Sequence, residues 1–242
     1  MIVAKAGLLT TVQDLGRWGY QSFGVSVAGP MDRLSHRLAN LLVGNSSSAA
    51  GLEITLLGPD IEFQDDVRCA VTGAEFEIFV DDNRMPLNAG WIVPKGAHLR
   101  FGDRRRGARA YLAIAGGLDV PQQLGSRATH LATGMGGYRG RHLQVGDRLR
   151  IGQASSTKLS SMHQVQSVMS LPSENIRVRV ILGPQDQMFS KEALLMFQSS
   201  RYQVSSESNR MGYRLLGPSI ASDKADQLLS DATPMGSIQV PA

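Results

Sequence analysis

The sequence has one cysteine, Cys69, in 242 residues, and only 6% of its side chains are aromatic. A single cysteine excludes an internal disulfide and a cysteine-rich metal site, so we expect a reducing, cytoplasmic location. No apolar run approaches the roughly 18 to 20 residues that cross a bilayer, which excludes a membrane-spanning helix. The first ten residues also lack the charged and apolar segments of a secretory signal.

Common catalytic signatures are missing as well. The phosphate-loop pattern G-x-x-x-x-G-K-[ST] does not occur, nor do G-x-S-x-G and H-E-x-x-H. The five histidines are scattered along the chain, so we predict surface or hydrogen-bonded histidines and no metal site. Cys69 lies in an apolar run, 67–71, where a buried and unreactive thiol is expected.

The charge is slightly basic, with 25 Lys plus Arg against 21 Asp plus Glu, and the excess is spread thinly along the chain apart from one local cluster. Five arginines cluster in the segment 100–109: Arg100, Arg104, Arg105, Arg106 and Arg109. They could bind an anion, or they could lie on a solvent-exposed turn in which FGDRRRG joins two strands. We favour the turn. No aromatic residues alternate with these arginines, which argues against a single-stranded nucleic acid partner.

The first part of the chain predicts one helix followed by many strands. Leucines recur at helical spacing in Met31–Val43, and Gly44 follows as a stop signal. Phe76, Ile78 and Val80 alternate with Glu75, Glu77 and Phe79, a pattern that is typical of a half-covered strand. Further strands are predicted at Ile2–Ala6, Gly90–Val93, His98–Phe101, Ala110–Ala115 and Leu149–Ile151. The intervening turns, including Gly102-Asp103, favour an antiparallel barrel or sandwich.

A Ser- and Gln-rich segment divides the sequence in two. Residues 153–175 are predicted to be a linker between a first domain, 1–152, and a second domain, 176–242. The second domain is predicted to open with a strand at Ile176–Leu182. A helix is expected to start near Ser190, and a strand at Tyr202–Val204.

Polar residues near the N-terminus leave two interpretations open. Asp14 with Arg17, and Asp32 at a helix start, could brace loops through ion pairs and caps, or they could line a pocket. The glycine-rich stretch 134–140 has the wrong spacing for a dinucleotide loop, because Arg139 stands where the third glycine is needed. We favour a structural turn there.

A series of motifs resembles the biotin-dependent carboxyltransferase family, also called allophanate hydrolase subunit 2 or KipA-like. The motifs are TTVQDLGRWGYQ (10–21), GVSVAGPMDRLSHRLANLLVGN (24–45), LEITLLGP (52–59), AIAGGLDVP (113–121), GSRATH (125–130), GGYRGRHLQVGDRL (136–149) and SNRMGYRLLGP (208–218). The resemblance implies a mainly β fold with a few short helices, arranged as two tandem cyclophilin-like β-barrel domains. Family members usually continue past GSIQVPA (236–242), so the second domain is expected to be truncated at its C-terminus.

The resemblance also implies a function. The leading expectation is the C subunit of an ATP-dependent 5-oxoprolinase, which opens 5-oxoproline to glutamate together with a KipI-like subunit and a lactam-utilisation subunit. ATP with Mg is expected in the complex, and no biotin is expected on this chain. The alternatives are a carboxyltransferase component of urea or allophanate metabolism, or a KipA-like antagonist of a histidine-kinase inhibitor. Prolyl isomerase activity is suggested only by analogy of fold and is set aside.

Candidate site residues are carried over only from the matched motifs. Asp32 or Glu53 is the expected proton acceptor, and Arg17, Arg127 and Arg210 are the expected contacts for a carboxylate or phosphate. The remaining expected substrate- or phosphate-binding residues are Asp14, Thr55, Thr129, Gly136, Gly137, Arg139, Asn209, Arg214 and Gln239. Each of them could instead hold a loop or an interface.

Overall fold

A computed structural model describes residues 1–154, 178–221 and 233–240. The chain divides into two compact units, with the division between Ser173 and Glu174. Most of the predicted linker lies outside the described residues, so the predicted domain limits 1–152, 153–175 and 176–242 stay predictions. Within the described ranges, no helix is both long and apolar enough to span a bilayer.

The first unit is a curled sheet of eight strands with one α-helix. Its elements are β1 (Ile2–Lys5), β2 (Leu9–Gln13), α1 (Arg33–Leu42), β3 (Gly51–Thr55), β4 (Asp60–Glu62), β5 (Val67–Val80), β6 (Asn83–Met85), β7 (Gly90–Val93), β8 (His98–Ile114), β9 (Leu118–Asp119) and β10 (Arg150–Ile151). Strands β1, β4, β8, β3 and β2 follow one another across the sheet, β5 pairs with β6, β7 and β8, and β9 pairs with β10 separately. Every pairing is antiparallel.

Strand β8 organises this sheet because it is long enough to pair with three others. Its first residues pair with β4, its last residues pair with β3, and nearly its whole length pairs with β5. Alternate residues of β5 are buried from Ala74 to Val80, as the sequence predicts. Their side chains join the main apolar core with residues such as Leu52, Ile54, Leu99 and Leu112.

The predicted turn at Gly102-Asp103 is wrong. The chain runs straight through it as part of β8, so the strands predicted at His98–Phe101 and Ala110–Ala115 are one strand. The reason is cross-strand pairing: Glu75 lies opposite Arg106, and Glu77 contacts Arg105 at 2.8 Å. Opposite charges on facing strands stabilise pairing, and the irregular register near Gly73 accommodates the polar segment.

Helix α1 confirms the helix predicted at Met31–Val43. Asp32 caps it, because its side chain accepts hydrogen bonds from the N–H groups of Leu34 and Ser35 at 3.1 and 3.0 Å. Gly44 ends it in a left-handed conformation with φ of 81°. The leucine spacing does not mark the buried face: Leu34 and Leu41 are exposed, while His36 and other polar residues are buried.

The second unit contains few regular elements among the residues described. They are α2 (Lys191–Ser199), β11 (Gln203–Val204) and β12 (Leu215–Leu216), the two strands forming an antiparallel hairpin. The helix and hairpin agree with the predicted helix near Ser190 and strand at Tyr202–Val204. The strand predicted at Ile176–Leu182 is wrong over its described part, 178–182, which is irregular and exposed. A strand requires a neighbouring ladder, and no described strand pairs with this segment.

Candidate functional site

Asp14 joins two loops of the first unit. Its Oδ1 accepts hydrogen bonds from the Gly16 N–H at 2.9 Å and the Ser126 hydroxyl at 2.6 Å. Its Oδ2 accepts a hydrogen bond from the Arg127 N–H at 2.5 Å. The loop after β2 is thereby fastened to the segment 126–127, because one carboxylate satisfies donors from both. An Asp14–Arg17 ion pair is not among the ion pairs of the described residues.

Arg17 is buried, with only 1% of its surface exposed. Its guanidinium donates to the carbonyl of Ala128, and its Nε lies 3.5 Å from the carbonyl of Gln123. Burial lowers the pKa of Arg17, whereas the nearby charge of Asp14 acts in the opposite direction. Its Nη1 is buried and has no hydrogen-bond partner in the described part of the chain. Arg17 therefore braces the segment 123–128 from inside.

The glycine-rich turn packs directly against this arginine. The Gly136 N–H donates to Gln123 Oε1 at 2.8 Å, and the Gly137 N–H donates to the Arg127 carbonyl at 3.0 Å. A Cβ on Gly136 would overlap the Ala128 carbonyl and approach Arg17 Nη2 to 2.5 Å. Glycine is required at this position because any side chain would push the turn away from the buried guanidinium.

Thr129 and His130 extend the same network. The Thr129 hydroxyl donates to the Val12 carbonyl at 2.9 Å, and Gln13 Nε2 donates to the Thr129 carbonyl at 3.2 Å. The pKa of His130 is lowered by burial and, secondarily, by the charge of Arg17. We call the set Gln13, Asp14, Arg17, Arg127, Thr129 and His130 the loop cluster. It contains four of the predicted site residues, and Gly136 and Gly137 pack on it.

A second cluster surrounds Glu53, which is 1% exposed. Its Oε2 accepts hydrogen bonds from the Met31 N–H and from the Tyr111 hydroxyl, both at 2.8 Å. Arg109 Nε lies 3.6 Å from Glu53 Oε1. The Tyr111 oxygen in turn accepts the Asp32 N–H at 2.7 Å. Burial raises the pKa of Tyr111, so its hydroxyl stays a donor toward Glu53.

His36 joins the two clusters. Its Nε2 donates to the Gln13 carbonyl at 3.1 Å, which fixes the proton on that nitrogen because a carbonyl can only accept. Its ring meets the Tyr111 ring edge-on, with the centroids 6.0 Å apart. Burial lowers the pKa of His36, although the hydrogen bond to Gln13 opposes this. The loop cluster is therefore connected to Glu53 by the hydrogen bond from His36 to Gln13, the ring contact of His36 with Tyr111, and the hydrogen bond from Tyr111 to Glu53.

The other predicted residues of the first unit lie outside this network. Thr55 ends β3, where it pairs with Leu9 and Arg109. Arg139 is exposed and lies 5.3 Å from the centre of the Tyr138 ring, a cation–π distance. Both residues are peripheral to the two clusters within the described chain.

The predicted residues of the second unit lie mostly in the β11–β12 hairpin loop. Asn209 Oδ1 accepts the Met211 N–H at 2.8 Å, and Arg214 pairs with Glu207 at 2.7 Å in an exposed ion pair. Burial lowers the pKa of Arg210 to about 10, so it remains charged at neutral pH. Gln239, separate from this loop, donates to the Thr233 hydroxyl at 3.0 Å.

The two clusters also contain residues that the sequence motifs did not indicate as site residues. Tyr111 and His36 connect the clusters, while Gln13, Gln123 and Ser126 complete the loop contacts. Gln13 and Ser126 stand inside matched motifs, which could have indicated them. The role of Tyr111 could not be predicted from the sequence, because its hydrogen-bond partners are distant in the chain. The sequence shows only a polar aromatic residue in a predicted strand.

Comparison with known proteins decides the family. The family described as carboxyltransferase domain, subdomain A and B, matches residues 23–242. The chain belongs to this carboxyltransferase family. The resemblance inferred from the sequence motifs is thereby confirmed.

Curated relatives of this carboxyltransferase-family chain fall in two groups. The C subunit of 5-oxoprolinase from Escherichia coli K12 is 44% identical over 99% of this chain and 76% of the relative. The same subunit from Haemophilus influenzae is 34% identical over 96% of the chain and 73% of the relative. Urea amidolyase of Lachancea kluyveri is 40% identical over 89% of this chain, but the match covers only 12% of that protein.

Solved structures agree with this membership. The urea carboxylase of Kluyveromyces lactis matches with a TM-score of 0.81 and 38% identity, over 93% of this chain and 21% of that one. The protein TTHA0988 matches with a TM-score of 0.79 and 34% identity, over 99% of this chain and 46% of that one. The chain therefore spans less than half of TTHA0988. The mainly β class is confirmed; the tandem cyclophilin-like barrels and the truncated second one stay predictions.

Proposed function

We propose that this carboxyltransferase-family chain is the C subunit of an ATP-dependent 5-oxoprolinase. The observation that carries the proposal is the 44% identity to the Escherichia coli protein of that name, since it extends over 76% of that relative. The chain would act with a KipI-like and a lactam-utilisation subunit, in the cytoplasm, to convert 5-oxoproline and water to glutamate. It is not proposed to be active alone.

Within the described chain, the loop cluster is the proposed place of substrate recognition. Arg127 is half-buried; its Nε donates to the Val120 carbonyl at 2.8 Å, and its Nη2 lies 3.8 Å from Asp119. A guanidinium that keeps part of its surface open can contact a carboxylate such as that of 5-oxoproline. Arg17 is enclosed, so we propose that it positions the segment 126–128 rather than touching substrate. Arg139 and Arg210 remain proposed anion contacts of their own units.

The two carboxylates proposed as proton acceptors differ in accessibility. Glu53 is enclosed and already accepts two hydrogen bonds, which suits a residue that holds the Met31–Asp32 segment in place. Asp32 is only partly buried, although its oxygens cap α1 and accept the Ser35 hydroxyl. A general base must reach the substrate or a water beside it. We therefore assign the proposed proton-acceptor role to Asp32 and the positioning role to Glu53.

The described residues do not fit ATP with Mg. The N–H groups of Gly134, Gly136, Gly137 and Gly140 in the glycine-rich turn all donate within the chain, so none is presented to a phosphate. The first N–H groups of α1 are satisfied by Asp32. Among the described ranges there is also no group of three or more His, Cys, Asp or Glu placed to hold a metal. We propose that the nucleotide and its metal are held elsewhere in the complex.

Urea metabolism is the second candidate, and a specific observation favours it. The match to Kluyveromyces lactis urea carboxylase has a TM-score of 0.81, so a carboxyltransferase role on urea has a structural precedent. The match covers only 21% of that chain, and biotin would have to come from another part of such a system. No biotin is proposed on this chain. This candidate predicts carboxyl transfer from biotin rather than hydrolysis of a lactam.

Reconstitution with separately purified KipI-like and lactam-utilisation subunits tests the proposal. We expect glutamate release that requires 5-oxoproline, ATP and all three chains, and no turnover when this chain is omitted. Carboxybiotin-dependent carboxylation of urea, in place of glutamate release, would select the second candidate. Absence of both reactions in a complex that assembles would refute the proposed function.

A matched pair of variants tests the site. Arg127→Met should lower kcat/KM for 5-oxoproline by about tenfold to a hundredfold, because the variant binds the substrate more weakly. A charge-assisted contact contributes about 1.5–3 kcal/mol. Arg105→Met removes an arginine of an exposed ion pair on β8 and should leave turnover unchanged. Equal effects of the two variants would exclude Arg127 from substrate binding.

A further inference from the structure

Helix α1 presents a basic and apolar face that the first unit does not bury. An α-helix turns by about 100° per residue, which places Arg33, Leu34, Arg37, Leu38 and Leu41 along one side. The opposite side carries the buried residues Ser35, His36, Ala39, Asn40 and Leu42. The two sides do not overlap, so the outward side is a coherent surface rather than scattered positions.

The outward side is unusually apolar for a solvated helix. Leu34 and Leu41 are 56% and 59% exposed, whereas Leu38, at the edge of this side, is half-buried and packs against the core beneath the helix. Trp18 is 54% exposed, and the Arg33 guanidinium lies 4.9 Å from the centre of its ring. We call Trp18, Arg33, Leu34, Arg37 and Leu41 the α1 outer face. Single exposed leucines are ordinary, but a continuous stripe with tryptophan and arginine is typical of protein interfaces.

The hydrogen bonds on the buried side of α1 explain why Leu34 and Leu41 are exposed. His36 donates to the Gln13 carbonyl, Asn40 donates to the Ala49 carbonyl at 3.0 Å, and Thr72 donates to the Ser35 carbonyl at 2.7 Å. These buried hydrogen bonds fix the rotation of the helix, because turning it inward by a third of a turn would leave each polar group without its partner. Leu34 and Leu41 are therefore held at the surface by the hydrogen bonds on the opposite side of the helix.

The positive charge of the α1 outer face indicates the chemistry of the surface that would bind it. The helix carries Arg33 and Arg37 and no acidic residue. Among the ion pairs of the described residues, neither arginine has a carboxylate partner. Two guanidinium groups beside apolar side chains are complemented by a segment that offers carboxylates and apolar groups at matching spacing. An acidic, amphipathic helix of another protein has that chemistry.

We propose that the α1 outer face docks an acidic, apolar segment of a partner subunit of the 5-oxoprolinase. This proposal rests on the proposed function for the identity of the partner. Carboxylates of the partner would meet Arg33 and Arg37, and its apolar side chains would cover Leu34, Leu41 and Trp18. The docking surface lies on the outer side of the helix whose inner side holds His36 and whose cap is Asp32, so docking would rigidify the segment that carries the proposed proton acceptor.

Binding of the full-length chain to the purified KipI-like and lactam-utilisation subunits tests the docking, measured by calorimetry and sedimentation. The double substitution R33E/R37E should weaken the affinity for one of them by about tenfold or more. R33E places a negative charge in the first turn of the helix, where it is favourable, so folding should be preserved. L34S/L41S should weaken the same binding through loss of apolar contact. The control R104E/R105E makes the same change of net charge on β8 and should leave the affinity unchanged.

Several outcomes would overturn the docking proposal. The first three are unchanged affinity of R33E/R37E, equal weakening in the control, and no binding of either partner to the wild-type chain. The proposal would also be wrong if the wild-type chain formed a dimer, or bound vesicles of anionic lipid, and R33E/R37E abolished that association instead. Turnover separates this result from the proposed function. Normal turnover with unchanged affinity refutes the docking alone, whereas charge-sensitive binding without turnover refutes the proposed function alone.

Discussion

The Tyr111 hydroxyl donates to Glu53 at 2.8 Å while it accepts the N–H of Asp32 at 2.7 Å. One oxygen thus connects β8, β3 and the start of α1. Because Glu53 also accepts the Met31 N–H, the segment that leads into the helix is held at two consecutive backbone groups. The position of Asp32, the proposed proton acceptor, therefore depends on a tyrosine 79 residues away in sequence.

Removal of that hydroxyl is the first prediction. Tyr111→Phe leaves the Asp32 N–H and one bond of Glu53 unsatisfied, so we expect the free energy of unfolding to fall by about 1–3 kcal/mol. Urea denaturation measures it. Tyr138→Phe keeps a ring that contacts Arg139 and Arg141 and should have little effect. Similar losses in the two variants would contradict the role assigned to Tyr111.

Two glycines of one turn provide the second prediction. Gly134 and Gly136 have positive φ values of 63° and 71°, so alanine is strained at both. Open space surrounds Gly134, whereas a Cβ on Gly136 would overlap the Ala128 carbonyl. Gly134→Ala should cost about 1 kcal/mol of stability, the usual left-handed penalty, and Gly136→Ala should cost clearly more.

Thermal and urea unfolding of the two glycine variants give this difference directly. Because the backbone conformation is similar at both positions, the excess cost at Gly136 reports the close packing of the turn on Arg17. Equal stability of Gly134→Ala and Gly136→Ala would show that this packing is not tight.

The third prediction concerns pH. Burial lowers the pKa of His36 below its ordinary value of 6.5. As pH falls below about 6.5, the unfolded chain binds a proton that the folded chain does not, so the stability falls. The lowered pKa of His130 contributes in the same direction. His36→Gln should therefore make the free energy of unfolding less dependent on pH between about 7.5 and 5.5.

Urea unfolding at several pH values checks the prediction for His36. The exposed His142, changed to Gln, serves as the control and should retain the wild-type pH dependence. If His36→Gln retained it as well, the histidine would not be the group whose protonation opposes folding.

The fourth prediction concerns the buried charge of Arg17. Arg17→Lys retains the charge but cannot reproduce the planar fork that reaches the carbonyls of Ala128 and Gln123. We expect a loss of about 2–4 kcal/mol in the free energy of unfolding, as for other disrupted buried networks. The same change at Arg105, an exposed partner of Glu77, should cost about 1 kcal/mol or less. A neutral Arg17→Lys substitution would contradict the bracing role.

Local signals predicted several elements correctly. Asp32 before a helical leucine spacing, with Gly44 after it, indicates where α1 begins and ends, because capping and left-handed termination depend on nearby residues. The alternation in 74–80 likewise indicates a half-covered strand. The segment 100–109 misled the prediction because glycine next to charged residues usually marks a turn, whereas here Glu75 and Glu77 on another strand hold it extended.

The sequence by itself determined the family, the main helix and many strands, since these depend on motifs and on short-range periodicity. Only the tertiary structure decided that Arg17 is enclosed by carbonyls, that Tyr111 joins Glu53 to Asp32, and that Leu34 and Leu41 of α1 face outward. Each of these depends on partners far apart in the chain. The rotation of a helix follows from the hydrogen bonds that its buried side must satisfy, and no local pattern contains those partners.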